Sequence, residues 1–128
     1  MGTTGKLRIL YAEADAETQA GPAAAFEKAG HVVKKALGRR AVVEAVDRNQ
    51  VDLVVLGPSL TRNDRHHLPY VVKKAQAQVA VLVMHADGSR HPYVDACTDT
   101  GASAESVLER IEGMQIAGMV ATGAGAGR

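Results

Sequence analysis

Three short apolar runs dominate the hydrophobic pattern of this chain. They cover residues 7–12, 51–56 and 79–84, and each is nearly continuous instead of alternating with polar positions. Strands that are covered by helices on both faces have this pattern, so the runs predict a parallel sheet flanked by helices. A more polar run over residues 31–37 predicts an edge strand, and residues 93–98 predict a fifth strand.

Helical patterns occupy the stretches between these strands. Asp15 predicts the N-cap of the first helix and Gly30 its end, while Gly21 and Pro22 predict that the regular helix starts or kinks near them. Pro69 predicts the first turn of the third helix. The alternation of strands and helices favours an open, doubly wound α/β sheet. The predicted helices cover residues 15–29, 39–49, 69–78 and 103–114.

Composition narrows the class of protein. Lys and Arg number 15 and Asp and Glu 14, so the formal net charge of +1 gives no bulk attraction to nucleic acid or to an anionic membrane. No window approaches the roughly 18 apolar residues of a membrane span. Cys97 is the single cysteine, which excludes an internal disulfide and a cysteine-based zinc cluster. We therefore expect a cytoplasmic domain over residues 6–115, followed by a flexible Gly/Ala-rich tail over 116–128.

Candidate chemistry collects where the predicted strands end. In doubly wound sheets, ligands bind at the carboxyl ends of the strands. Imidazole and carboxylate together form a plausible ligand set for a first-row metal, although their spacing matches no tight metal motif. The chain has no phosphate loop, dinucleotide fingerprint or nucleophile elbow, so we predict neither an enzyme nor a bound cofactor. The imidazoles and carboxylates near this edge are His66, His67, His85, His91, Asp64 and Asp87.

Four segments together are similar to one known family. Residues 9–15 look like a first strand that ends in acidic residues, and 26–33 like a helix end, a glycine and a second strand. Residues 51–57 and 81–86 look like that family's third and fourth strands. Over residues 6–115 the chain thus resembles the receiver domain of bacterial two-component response regulators. The resemblance implies a flavodoxin-like fold, with five parallel strands in the order 2-1-3-4-5.

The same resemblance implies a phosphorylation site that this chain does not keep. Receivers accept a phosphoryl group on an aspartate beside Mg²⁺, and here Gly57 stands at that position. The acidic pair becomes Glu13 and Ala14, with Asp15 one residue further on. His85 replaces the hydroxyl residue of the switch, and Thr100 or Gly101 falls where the family has lysine. We therefore predict a degenerate pocket that binds no metal and is not phosphorylated on aspartate. Gly57 is also consistent with an ordinary turn.

The segment after the fourth strand is several residues shorter than receivers usually need. Residues 87–92 are turn formers, so we predict that the family's fourth helix is missing or reduced to one turn. Its loss would expose apolar surface around Met84, Tyr93 and Val94, next to strand five and the last helix. We expect this face to bind a protein partner or a second copy of the chain. On strand five, Cys97 is predicted to be a buried small hydrophobe.

Two functions follow from these observations. The first is a receiver-like signalling module that works through protein contacts without aspartate phosphorylation. The alternative is a small-ligand or metal-binding module that uses the carboxyl edge of the strands and its histidines.

Overall fold

The computed structural model describes residues 7–85, 92–99 and 101–114. The strands are β1 (Arg8–Glu13), β2 (Val32–Leu37), β3 (Leu53–Leu56), β4 (Ala80–Val83) and β5 (Ala96–Cys97). The helices are α1 (Ala16–Lys28), α2 (Gly38–Arg48), α3 (Arg62–Ala75) and α4 (Ala104–Glu112).

These strands form one parallel sheet. Their spatial order is β2-β1-β3-β4-β5, and every neighbouring pair is parallel. The sequence-based prediction of a doubly wound sheet in the order 2-1-3-4-5 is therefore confirmed. The prediction of β2 as an edge strand is confirmed as well.

Two apolar layers cover the sheet, one on each face. Alternate residues of β1 divide between them: Leu10 packs with the layer of α2 and α3, and Tyr11 with the layer of α1 and α4. On β3, Val54 and Val55 divide in the same way. This double cover explains why the central strands read as continuous apolar runs.

Both prolines that were expected near helix starts lie inside helices. Asp15 caps α1 as predicted, but α1 continues through Pro22 without a break. Helix α3 begins at Arg62 instead of at Pro69, because the Thr61 side chain accepts a hydrogen bond from the Asp64 N–H and starts the helix two turns earlier. Pro69 is buried against the core, and this packing holds it within the helix.

Strand β5 is shorter and more exposed than predicted. It covers only Ala96–Cys97 and forms the edge of the sheet opposite β2. Strand alternation turns Ala96 into the core and leaves Cys97 exposed, so the prediction of a buried cysteine was wrong.

Several predictions fall partly outside the described residues. The connection from β4 to β5 runs over 84–95, and its residues 86–91, which include Asp87 and His91, are not described. Residues 84–85 and 92–95 contain no helix, so the reduced fourth helix stays a prediction. Thr100 and the 116–128 tail also lie outside the described residues. Among the described helices, none is long and apolar enough to cross a membrane.

His31, directly before β2, makes the stability of the fold depend on pH. The Leu7 N–H donates to His31 Nδ1 at 3.1 Å, so this nitrogen must be unprotonated in the folded chain. Burial lowers the pKa of His31 below its ordinary value, and the charge of Glu112 opposes this only in part. Below about pH 6.5 the unfolded chain binds a proton that the folded chain takes up only at lower pH. Stability is therefore complete above this pH and falls as the pH drops through it.

We expect urea unfolding to give a smaller free energy of unfolding below about pH 6.5 than at neutral pH. His31→Gln should flatten this dependence, because glutamine does not titrate. His67→Gln, at an exposed position on α3, is the matched control and should leave the dependence unchanged. An equal pH dependence in wild type and in His31→Gln would contradict this assignment.

Candidate functional site

The candidate site lies where the two central strands end side by side. Ala12 and Leu56 are register partners in β1 and β3, and the Gly57 N–H donates to the Ala12 carbonyl at 2.8 Å. Glu13 and Gly57 are thus neighbours at the carboxyl edge of the sheet. This is the edge at which doubly wound folds carry their ligands.

Glu13 is a buried carboxylate that neutral donors hold. Its exposed fraction is 0%. The Ser59 N–H and the Ser59 hydroxyl donate to Oε1 at 3.0 Å and 2.6 Å, and the Tyr11 hydroxyl donates to Oε2. Hydrogen bonds of this kind offset the desolvation of a buried polar group.

Tyr11 supplies its donor from within the α1–α4 layer. Burial and, after it, the hydrogen bond to Glu13 raise the pKa of Tyr11 well above its usual range. The phenol therefore stays protonated and keeps donating to Glu13. Its ring packs edge-on against Phe26, with the ring centroids 5.4 Å apart, which fixes the direction of the hydroxyl.

Ser59 joins the end of β1 to the loop that follows β3. Its hydroxyl donates to Glu13 and accepts from the Ala14 N–H at 2.8 Å. The Leu60 N–H closes a turn on the Gly57 carbonyl at 3.3 Å. One serine therefore fastens the loop before α3 to the neighbouring strand.

Gly57 leaves the space that the Glu13 carboxylate fills. A Cβ atom at position 57 would overlap with Cδ and with both carboxylate oxygens of Glu13. Gly57 is not among the glycines with positive φ, so its backbone conformation does not require glycine. Glycine is required at position 57 because any side chain there would overlap with Glu13. This requirement is additional to the turn that the sequence indicated.

The other predicted pocket residues have different surroundings. Asp15 is exposed and caps α1, where hydrogen bonds from the Thr18 hydroxyl and N–H lower the pKa of its carboxyl. Ala14 is exposed, and His85 is half-buried directly after β4. Gly101 is an exposed residue with φ +85° before α4. Of the predicted pocket residues, the network at the edge of the sheet thus contains Glu13 and Gly57, and Ala14 joins it through its backbone N–H.

Sequence reasoning missed Tyr11 and Ser59. Tyr11 was assigned to an apolar strand, and Ser59 follows the turn that was considered at Gly57. The sequence did contain a signal for Ser59. Glu13 ends β1, and the Ser59 hydroxyl follows the end of the neighbouring strand β3, so the two side chains can form a hydrogen bond.

The Mg²⁺ that the resemblance implies does not fit these residues. A magnesium site is built from oxygen ligands, usually carboxylates and water. Gly57 offers no side-chain oxygen, and both oxygens of Glu13 already accept hydrogen bonds from Ser59 and Tyr11. Asp15 uses its Oδ2 atom to cap α1.

The alternative function, a metal-binding module, finds no cluster of metal ligands in the described part of the chain. His66 and His67 are exposed on α3, and Asp64 lies 4.0 Å from Arg39. Among the described residues there is no group of three or more His, Cys, Asp or Glu side chains that could hold a metal ion.

The predicted interaction face is only partly exposed. Met84 is 4% exposed and belongs to the core layer of α1 and α4, so the expectation of exposed surface there was wrong. Val94 is half-buried against the layer of α2 and α3. Tyr93 is 39% exposed and is the accessible residue of the three.

We expect Gly57→Ala to lower the free energy of unfolding by about 1–3 kcal/mol, the usual cost of overpacking. The new methyl group displaces the Glu13 carboxylate from Ser59 and Tyr11. In a Glu13→Ala background the same change should cost less, with a coupling energy of about 0.5–3 kcal/mol in a double-mutant cycle. Urea unfolding measures all four proteins.

Gly21→Ala is the matched control for this cycle. Gly21 lies in α1 with open space around its Cβ position, so alanine should leave stability unchanged or raise it by about 0.5–1 kcal/mol. Additive costs of Gly57→Ala and Glu13→Ala would contradict the shared space.

Comparison with known proteins gives matches in structure. No family model matches the sequence, and no curated protein matches it. A CheY-like response regulator receiver domain protein from Methanospirillum hungatei matches with a TM-score of 0.74 at 16% identity, over 84% of this chain and 92% of that one. The chemotaxis response regulator CheY4 of Vibrio cholerae matches with a TM-score of 0.74 at 11% identity, over 87% and 100% of the two chains.

A third match is a response regulator from Thermotoga maritima, TrrA, solved in complex with Mg²⁺ and BeF. Its TM-score is 0.72 at 12% identity, over 84% of this chain and 98% of that one. At these identities the likeness concerns the fold. The chain therefore has the fold of the CheY-like response regulator receiver domains, as the resemblance in its sequence indicated.

Proposed function

We propose that this protein is a receiver-fold signalling module that acts through protein contacts and is not phosphorylated on aspartate. The observation that carries the proposal is the Glu13 carboxylate in the space beside Gly57. The position at which the resemblance implies a phosphoryl acceptor has no side chain, and a neighbouring residue fills its volume.

Glu13 is a poor substitute for the missing acceptor. A carboxylate that attacks a phosphoryl group must reach it with a free oxygen, in line with the leaving group. Glu13 has no exposed surface, and its oxygens accept hydrogen bonds from Ser59 and Tyr11. Attack would require one of these oxygens to leave its hydrogen-bond donors and to become exposed first.

The same network gives the module one fixed arrangement at this edge. Ser59 ties the loop before α3 to Glu13 and Ala14. In the proposed function, this loop is held by an internal carboxylate and does not respond to an added phosphate. Regulation then comes from the presence or absence of a binding partner.

Protein contact next to β5 remains part of the proposal. Tyr93 is exposed and Val94 half-buried on this side, so they are the residues available to a partner protein or a second copy. The proposed function includes no catalytic step. A reducing cytoplasm is consistent with the exposed thiol of Cys97.

We expect no change in intact mass when the protein is incubated with acetyl phosphate and Mg²⁺, because Gly57 offers no acceptor and Glu13 is enclosed. A receiver domain whose third strand ends in aspartate serves as the positive control under the same conditions. A hydroxylamine-labile phosphate adduct on this protein would contradict the proposal, and peptide mapping would identify the carboxylate that carries it.

A further inference from the structure

Two exposed tyrosines meet on the surface between α3 and the segment before β5. Tyr70 is 41% exposed and Tyr93 is 39% exposed. Their rings pack edge to face, with centroids 5.4 Å apart, and they come from positions far apart in the chain. Tyrosine is enriched at protein interfaces, so this pair is a candidate contact surface.

The segment that carries Tyr93 is firmly attached to the body of the fold. The Asp95 carboxylate accepts from Lys73 Nζ at 2.7 Å and from the Val81 N–H at 2.8 Å. The Asp95 N–H donates to the Val81 carbonyl at 2.9 Å, and Val94 packs against the core. Tyr93 is therefore held in one position. Binding of a ligand then costs little conformational entropy for ordering this part of the protein surface.

A lysine and a histidine of α3 lie against Tyr70. Lys74 Nζ lies 5.8 Å from the centroid of the Tyr70 ring, within the range of a cation–π contact. The His67 ring centroid is 6.3 Å from that of Tyr70. Arg62 is exposed on the same helix, about 12 Å along the axis from Tyr70. We call Tyr70, Tyr93, His67 and Lys74 the aromatic–basic patch.

The nearby carboxylates are already engaged by cations. Asp64, the acidic residue of α3, lies 4.0 Å from Arg39, and Asp95 pairs with Lys73. In the described residues of α3 and of 92–95, the charge left to meet a ligand is therefore positive. A ligand that is complementary to the aromatic–basic patch carries carboxylates beside an apolar group.

Charge also argues against the two other occupants. A two-fold dimer joins the same patch on both copies, so the positive charge of one patch would meet the positive charge of the other. Nucleic acid is favoured by a strongly basic domain with flat aromatic faces open for stacking. Here the net charge is +1, the tyrosines pack edge to face, and Lys74 lies over the Tyr70 ring.

We propose that the aromatic–basic patch binds an acidic segment of a partner protein, with an apolar side chain against the exposed surface of the two tyrosines and a carboxylate on Lys74. This inference rests on the proposed function in that both make the protein a binding module. It locates the contact on α3 and on the segment before β5, and it names the chemistry of the partner.

A random peptide library displayed on phage and selected on the wild-type protein tests this proposal. We expect the enriched peptides to contain aspartate or glutamate beside an apolar residue, and their binding to weaken as salt is added. In fluorescence anisotropy with one enriched peptide, Tyr70→Ala and Lys74→Glu should each weaken binding about tenfold. Both residues are exposed, so circular dichroism should show an unchanged fold.

Two variants away from the patch control for surface changes. Lys28→Glu makes the same charge change at the end of α1, on the other face of the sheet, and Val32→Ala removes an exposed apolar side chain on β2. Neither should change peptide binding. Failure to enrich peptides, enrichment of peptides without acidic residues, or equal binding by Tyr70→Ala would each overturn the proposal.

Two further measurements separate the other occupants. Single-stranded DNA that binds through Tyr70 and Lys74 as tightly as the acidic peptide would overturn the choice of partner. So would a concentration-dependent dimer in light scattering that Tyr93→Asp abolishes. A phosphate adduct formed with acetyl phosphate would contradict the proposed function but leave peptide binding unaffected, so the two failures are distinguishable.

Discussion

A carboxylate that has lost contact with water must obtain its hydrogen bonds inside the protein, and the arrangement at the carboxyl edge of this sheet depends on that constraint. Glu13 meets it with Tyr11 from its own strand and with Ser59 from the loop after β3. Gly57 contributes by having no side chain. Strand end, loop and helix layer are therefore held together through one functional group.

The fold of this protein does not depend on a phosphoryl-transfer site at the carboxyl edge of its sheet. The sheet order, the two apolar layers and the central strands agree with the receiver fold, and none of them depends on a phosphoryl acceptor. The edge of the sheet, where a receiver carries its reaction, contains a satisfied network instead. In the proposed function, the fold therefore meets other molecules through its outer surface, where Tyr70 and Tyr93 lie in contact.

Most of the fold was predictable because its signals are local. Continuous apolar runs identified the central strands, and Asp15 identified the start of α1. The start of α3 was not predicted, because Pro69 is a strong helix-start signal and the weaker Thr61–Asp64 cap was overlooked. Cys97 was wrongly predicted to be buried, because the order of the strands in the sheet does not show how far helices and loops cover an edge strand.

The candidate site was only half predictable for a physical reason. Glu13 and Gly57 were identified as replacements at receiver positions, but the reach of a glutamate across to the next strand depends on distances that sequence spacing does not contain. Tyr11 lies within an apolar strand, and the hydrophobic pattern of that strand does not show that the tyrosine hydroxyl points towards the strand end. The meeting of Tyr70 with Tyr93 is likewise a product of tertiary packing.

The shared volume of Glu13 and Gly57 also restricts how such a chain can evolve. A chain that gains a side chain at position 57 must shorten residue 13 or displace its carboxylate, since the two groups overlap. Either change takes the hydrogen-bond acceptor away from Tyr11 and Ser59, so it lowers the stability of the fold. Substitutions at positions 13 and 57 are therefore tolerated better together than singly, which makes the two positions a coupled pair in the evolution of such a chain.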